Sequence, residues 1–218
     1  MNMKKHDIAK KMITSILDTD TTEQQIIEFV GKCLKYPMYG IVFDLNCIDL
    51  GLELLDGTDC KVITVSSYPL SGMTTPVKVE HIKYAISKGI DEIDIGLNYN
   101  AFKSGRMGDV RKDIEAIMKA AGDKIKVVLM PQFAILTNNE KADICKIMLE
   151  SGATTVKTST GWGYNTIVEE VKFIKRLFGD NMAVEVAGGV RTAGEAVEML
   201  EAGATSFHTS TPFQILEG

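Results

Sequence analysis

The sequence predicts an α/β fold: one (β/α)8 TIM barrel with an N-terminal helix, formed as a single domain over residues 1–218. Three observations lead there. Short β-rich runs alternate with longer amphipathic runs almost from end to end, which implies a parallel sheet with crossover helices. Helix ends carry a glycine just ahead of the next strand at Lys88-Gly89-Ile90, Ser151-Gly152-Ala153 and Ala202-Gly203-Ala204, the pattern of a left-handed cap. No linker, low-complexity tract or charge block divides the 218 residues, and a barrel of this length forms one domain. A doubly wound open sheet is the structural alternative.

The elements follow in chain order. Met12–Leu17 is a weak candidate for the first strand, and the other seven strands are clear. Thr21 or Thr22 ahead of Glu23 and Gln24 opens a helix over Glu23–Leu34. Strands at Gly40–Phe43 and Lys61–Ser66 come next, then a helix over Val77–Lys88 and a strand at Glu92–Ile95. A helix over Met107–Ala121 leads to the strand Lys126–Met130. Thr137 with Glu140 starts the helix Asn138–Glu150, ahead of the strand Thr154–Thr158. The remaining pairs are helix Val168–Phe178 with strand Ala183–Val186, and helix Ala193–Glu201 with strand Thr205–Thr209. A short helix, Phe213–Leu216, follows.

Composition narrows the function classes. A 45% hydrophobic content supplies one full-sized core. The net charge of −5 argues against nucleic-acid and anionic-membrane partners, which need a basic face. Cys33, Cys47, Cys60 and Cys145 are scattered, with no CxxC pair, and read as reduced cytosolic thiols. The polar start Met1–Lys11 lacks a signal-peptide core and no apolar run reaches membrane-spanning length, so a cytoplasmic protein is expected.

The chemistry concentrates in Thr154-Thr155-Val156-Lys157-Thr158-Ser159-Thr160-Gly161. A β-branched strand ends on a lysine and turns at once into a hydroxyl-rich loop closed by glycine. In a barrel that amine points toward the mouth, where barrel enzymes do their chemistry. Partial removal from water depresses its pKa, which makes it a nucleophile suited to Schiff-base formation. A solvated strand-end lysine is the plain alternative. In Asp91-Glu92-Ile93-Asp94-Ile95, alternation puts Glu92 and Asp94 on one face, so Asp94 is a proton shuttle or a solvated strand-end acid. Lys126 opens its strand and needs an acidic partner, with Asp94 and Glu185 as the candidates. Gly188-Gly189-Val190-Arg191 after one late strand, and Thr209-Ser210 after the last, match the barrel phosphate site, with a tight turn that needs glycine as the plain alternative for Gly188–Gly189. No Walker or dinucleotide glycine fingerprint is present, and His6, His81 and His208 are too dispersed to propose a metal site.

On these residues the chain resembles the deoxyribose-phosphate aldolase family. Val156-Lys157-Thr158-Ser159-Thr160-Gly161 matches its Schiff-base lysine motif. Asp91 to Ile95 with Asn98, Ala101 and Lys103-Ser104-Gly105 matches its aspartate strand and following loop. Gly188-Gly189-Val190-Arg191-Thr192 and Thr209-Ser210 match its phosphate-side loops, and the likeness spans nearly the whole chain. The resemblance implies class I aldol chemistry without a cofactor, serving carbohydrate and deoxyribonucleotide catabolism. It makes Lys157 the imine-forming residue and Asp94 a proton relay; beside the resemblance, Glu185 as a proton carrier and Lys126 as its neutralising partner complete the candidate catalytic set. Thr158, Ser159, Gly161, Gly188, Gly189, Thr209 and Ser210 become the substrate and phosphate residues. The substrate would be a small phosphorylated sugar or aldehyde, and a homodimer the default assembly.

One departure bears directly on the chemistry. The family carries a second lysine where this chain has Glu185. That lysine depresses the nucleophile's pKa by repulsion, whereas a carboxylate favours the ammonium form and raises it. The first strand also lacks the family's acidic residue, and Met130-Pro131-Gln132-Phe133-Ala134 replaces a family glutamate. Two other classes therefore stand beside the aldolase. One is a phosphosugar isomerase or epimerase using Asp94 and Glu185 as an acid–base pair. The other is a non-catalytic barrel that binds phosphate esters.

Overall fold

In the computed structural model, which describes residues 3–218, helix α1 (Lys5–Ala9) delivers the chain to strand β1 (Met12–Ile16). Met1 and Asn2, the first residues of the polar start, lie outside the described residues. The other strands are β2 (Gly40–Phe43), β3 (Lys61–Ser66), β4 (Glu92–Gly96), β5 (Lys126–Met130), β6 (Thr155–Lys157), β7 (Ala183–Ala187) and β8 (Ser206–Thr209). Every pair is parallel, and β1 bonds to both β2 and β8, so the sheet closes into an eight-stranded barrel. The weak first strand is real, and the open-sheet alternative is excluded by that closure.

Helices α2 (Glu23–Cys33), α3 (Ile48–Leu55), α4 (Thr75–Lys88), α5 (Tyr99–Lys103), α6 (Met107–Ala121), α7 (Asn138–Glu150), α8 (Val168–Phe178), α9 (Ala193–Glu201) and α10 (Pro212–Glu217) surround it. Reciprocal capping boxes start three of them, through Thr22 with Gln25, Thr137 with Glu140 and Thr192 with Glu195. Gly89, Gly152 and Gly203 all have positive φ, so the repeated helix–glycine–strand pattern is a run of left-handed turns. Two helices escape the sequence pattern. α3 contains Gly51, a poor helix former, yet any Cβ there would approach the Phe43 ring to 2.8 Å. α5 has five residues, too few to show a period, and is started by Asn98 accepting from the Ala101 amide.

Alternation along each strand divides the barrel into two environments. Outward residues such as Ile93, Leu129, Val156, Val184 and Phe207 are buried in the apolar layer under the helices. Inside, Ile13, Val42 and Ile63 of β1–β3 form a separate small apolar plug. Strands β4–β8 instead carry Glu92, Asp94, Lys126, Lys157, Glu185 and Ser206 on their inward positions. Among the described residues, no helix is long and apolar enough to cross a membrane.

Phe207 is fully buried between β8 and the helix layer. Phe207→Ala should destabilise the fold by about 3–5 kcal/mol, the range for emptying such a site, with urea unfolding as the measurement.

Candidate active site

Lys157 ends β6 and is opposite Glu185 of β7 in the parallel register. Its Nζ lies 2.6 Å from Asp94 Oδ2, to which it donates a hydrogen bond, and 3.0 Å from Glu185 Oε1. All three residues are essentially inaccessible, at 2%, 0% and 0% exposure, so neither the solvated lysine nor the solvated Asp94 is what the fold builds. Burial alone pushes the ammonium down, but Asp94 and Glu185 outweigh it and hold Lys157 above the ordinary lysine range. The depressed pKa expected from burial is thus overturned; the rise expected from Glu185 is present.

A second pair lies lower in the barrel. Lys126 donates to Glu92 Oε2 at 2.6 Å and to Tyr39 Oη at 3.1 Å. Its partner is therefore Glu92, not Asp94 or Glu185, because the β4–β5 register sets Glu92 directly against it. Lys126 remains 38% exposed at the strands' amino end, away from the mouth. Carboxylate oxygens of Glu92, Asp94 and Glu185 all lie within 4.8 Å of one another, a spacing that would suit a metal ion. Here the two ammonium groups already supply the counter-charge. Three carboxylates against two ammonium groups still leave one negative charge in excess. Burial, then the neighbouring carboxylates, push Glu92 up to about 7. Asp94 rises to about 6 through burial and Glu185, with Lys157 opposing.

Above these charges opens a cavity of about 610 Å³. Gly161, Gly188, Gly189, Thr209 and Ser210 line it, together with Arg191. Gly188 and Gly189 both have positive φ, and a Cβ on Gly188 would collide with the Tyr164 carbonyl. Thr158 and Ser159 do not line the cavity. Thr158 Oγ1 accepts from the Ala187 amide, and Ser159 Oγ donates to the Tyr164 carbonyl and accepts from Gly161 N. These hydroxyls brace the loop after Lys157.

Four residues escape the sequence reading. Gln132, in the left-handed region at φ 46°, grips Thr160 twice, accepting from its amide at 2.8 Å and donating to its hydroxyl at 3.2 Å. Tyr68 lines the cavity and donates to the Thr160 carbonyl at 3.2 Å. Burial raises its phenol, and the Lys157 ammonium pulls it partly back. Trp162, 63% exposed, stands at the cavity rim. His208 faces the cavity from β8, where alternation with Ser206 was the signal that could have found it.

Comparison with known proteins agrees with the geometry. A deoxyribose-phosphate aldolase from Staphylococcus epidermidis is 38% identical over 212 residues, covering 96% of each chain. The solved structure of QR15, an aldolase, matches at a TM-score of 0.91 and 30% identity, over 97% of this chain and 95% of that one. A tetrameric deoxyribose phosphate aldolase from Aeropyrum pernix has the same fold, with a TM-score of 0.86 at 22% identity over 98% and 91% of the two chains. No family model matches the chain.

Removing one carboxylate from Lys157 should release its proton more readily. Glu185→Gln should lower the pH at which the amine becomes reactive by about 1–3 units, the influence of a close charge. Reductive labelling of Lys157 followed against pH reads this shift directly.

Proposed function

The chain belongs to the deoxyribose-phosphate aldolase family, and we propose that it is a class I aldolase, a carbon–carbon lyase working through an imine on Lys157. Its substrate in this reading is 2-deoxyribose 5-phosphate or a closely related small phosphorylated sugar, cleaved reversibly into two aldehydes. The supporting observation is the Lys157 amine, buried between Asp94 and Glu185 under a cavity with glycine-rich loops on its far wall.

The reaction begins with a proton transfer. Lys157 is held as an ammonium, and Asp94, its hydrogen-bonded partner with a raised pKa, is the group placed to take the proton. The neutral amine adds to the open-chain sugar aldehyde, loses water and leaves an imine. Cleavage of the C2–C3 bond then releases a three-carbon phosphorylated aldehyde, and the two-carbon enamine is protonated and hydrolysed to acetaldehyde. Amides around Gly188–Gly189 and Thr209–Ser210, with Arg191, hold the phosphate. Lys126 pairs with Glu92 below the site and partly offsets the rise in its pKa, and Glu185 sets the acidity of Lys157. At an effective dielectric near 20, a unit charge about 4 Å away is worth roughly 4 kcal/mol. A carboxylate in this position therefore shifts the working range toward higher pH than a lysine would.

The assembly proposed is a homodimer, the commonest symmetric state. The cytoplasmic location belongs to the same reading and is supported by the four free thiols.

Borohydride treatment with acetaldehyde, and separately with deoxyribose 5-phosphate, should leave a mass adduct on the Lys157 peptide, increasing with pH. Lys157→Ala should abolish both adduct and turnover; unchanged turnover would rule out the imine route. Arg191→Ala should raise KM for a phosphorylated sugar by about 10–100-fold, the worth of one charged hydrogen bond. It should leave an unphosphorylated analogue unaffected in steady-state assays.

A further inference from the structure

The imine mechanism needs a base at the C3 hydroxyl, since the C2–C3 bond breaks only as that oxygen loses its proton. Asp94 has by then taken the Lys157 proton, and Glu185 faces the same nitrogen beneath the cavity floor. Among the described residues, the titratable side chains lining the cavity are Asp18, Tyr68, Arg191 and His208. Arg191 is no base, Tyr68 keeps its proton because burial raises its phenol, and Asp18 is exposed at the rim.

His208 has the required place. Ser206, two residues before it on the same inward face, donates to Glu185 Oε2 at 3.2 Å. His208 is therefore about 6–7 Å nearer the mouth than the Lys157–Glu185 contact, at a rise of about 3.3 Å per residue. The next two residues in the chain are Thr209 and Ser210 of the phosphate wall. A five-carbon sugar bound through C1 to Lys157, with its phosphate on C5, brings C3 between these two ends. No hydrogen bond occupies either ring nitrogen of His208 among the described residues.

We propose that His208 is the general base of the carbon–carbon cleavage, an assignment that rests on the aldolase reading above. Its ring nitrogen takes the C3 hydroxyl proton. The O–H electrons become the C3 carbonyl, the C2–C3 electrons become the C1–C2 double bond of the enamine, and the π electrons of the protonated imine return to the Lys157 nitrogen, leaving it neutral. The imidazolium then delivers its proton to C2, and hydrolysis of the resulting iminium frees acetaldehyde and Lys157.

The surroundings suit a base. Burial, followed by the Lys157 ammonium, lowers the imidazole well below its ordinary pKa, so it is neutral and ready to accept a proton near pH 7. The charged and titratable groups around it are Lys157 on β6, Glu185 on β7, Arg191 after β7, Asp18 after β1 and Tyr68 after β3.

The test compares wild type with His208→Gln. Borohydride adduct formation on Lys157 reports the imine, and loss of methyl protons from acetaldehyde in D2O reports proton transfer at C2. His208→Gln should keep the adduct while losing about 100-fold or more of both methyl exchange and sugar cleavage, the lower bound for a general base. An intact adduct with unchanged exchange would overturn the assignment and leave the aldolase reading standing. Absence of an adduct in wild type would overturn that reading and the proposal with it.

Discussion

The barrel interior encloses three carboxylates and two ammonium groups, and that imbalance governs what the site can do. Charges removed from water must find partners. Lys157 satisfies Asp94 and Glu185 together, and Lys126 satisfies Glu92 from below. One oxygen each of Glu92 and Asp94 is left without a hydrogen bond in the described structure, and Glu185 Oε1 meets only the Lys157 ammonium. The reservoir therefore favours taking up a proton, and the resting amine is a clamped ammonium. In the imine mechanism proposed above, the Lys157 amine is freed by moving a proton within the cluster, with no need to bring charge in from solvent.

Most of the fold is legible in the sequence because each strand and helix carries its own local signal. β2, β3, β5 and helices α6 to α9 begin and end where β-branched runs, caps and glycines put them. The meeting of Lys157 with Asp94 and Glu185 follows from alternation once the barrel closes. What alternation cannot give is register between strands, so the partner of Lys126 is read only from the pairing of β4 with β5. Thr158 and Ser159 turn away from the cavity because the strand ends at Lys157, and period-two logic ends with it. His208 looked like one of three scattered histidines, because distance along a chain carries no information about a closed ring.

The loops over the site are tied down by specific hydrogen bonds. Ser67 and Ser71 occupy the left-handed region between β3 and α4, as does Gln132 after β5. Such strain persists only where the surroundings over-determine it. Ser67 is tied through its carbonyl to the Ser71 amide and through its hydroxyl to Met73 N, while Gly96 lacks the Cβ that would collide with the Ser67 carbonyl. Tyr68 emerges from this braced segment and bonds to Thr160, which Gln132 also grips. Three loops from β3, β5 and β6 thus converge on one residue beyond Lys157.

The division between the inner and outer faces of the strands has an evolutionary consequence. The outward residues carry the apolar packing, whereas Glu185 sits on the inner face and contributes nothing to that layer. Lysine and glutamate codons differ by a single base, so the charge next to the nucleophile can be inverted in one mutational step. Because the step leaves the helix–strand packing intact, a lineage can explore new acidities, and with them new substrates, while the scaffold stays folded.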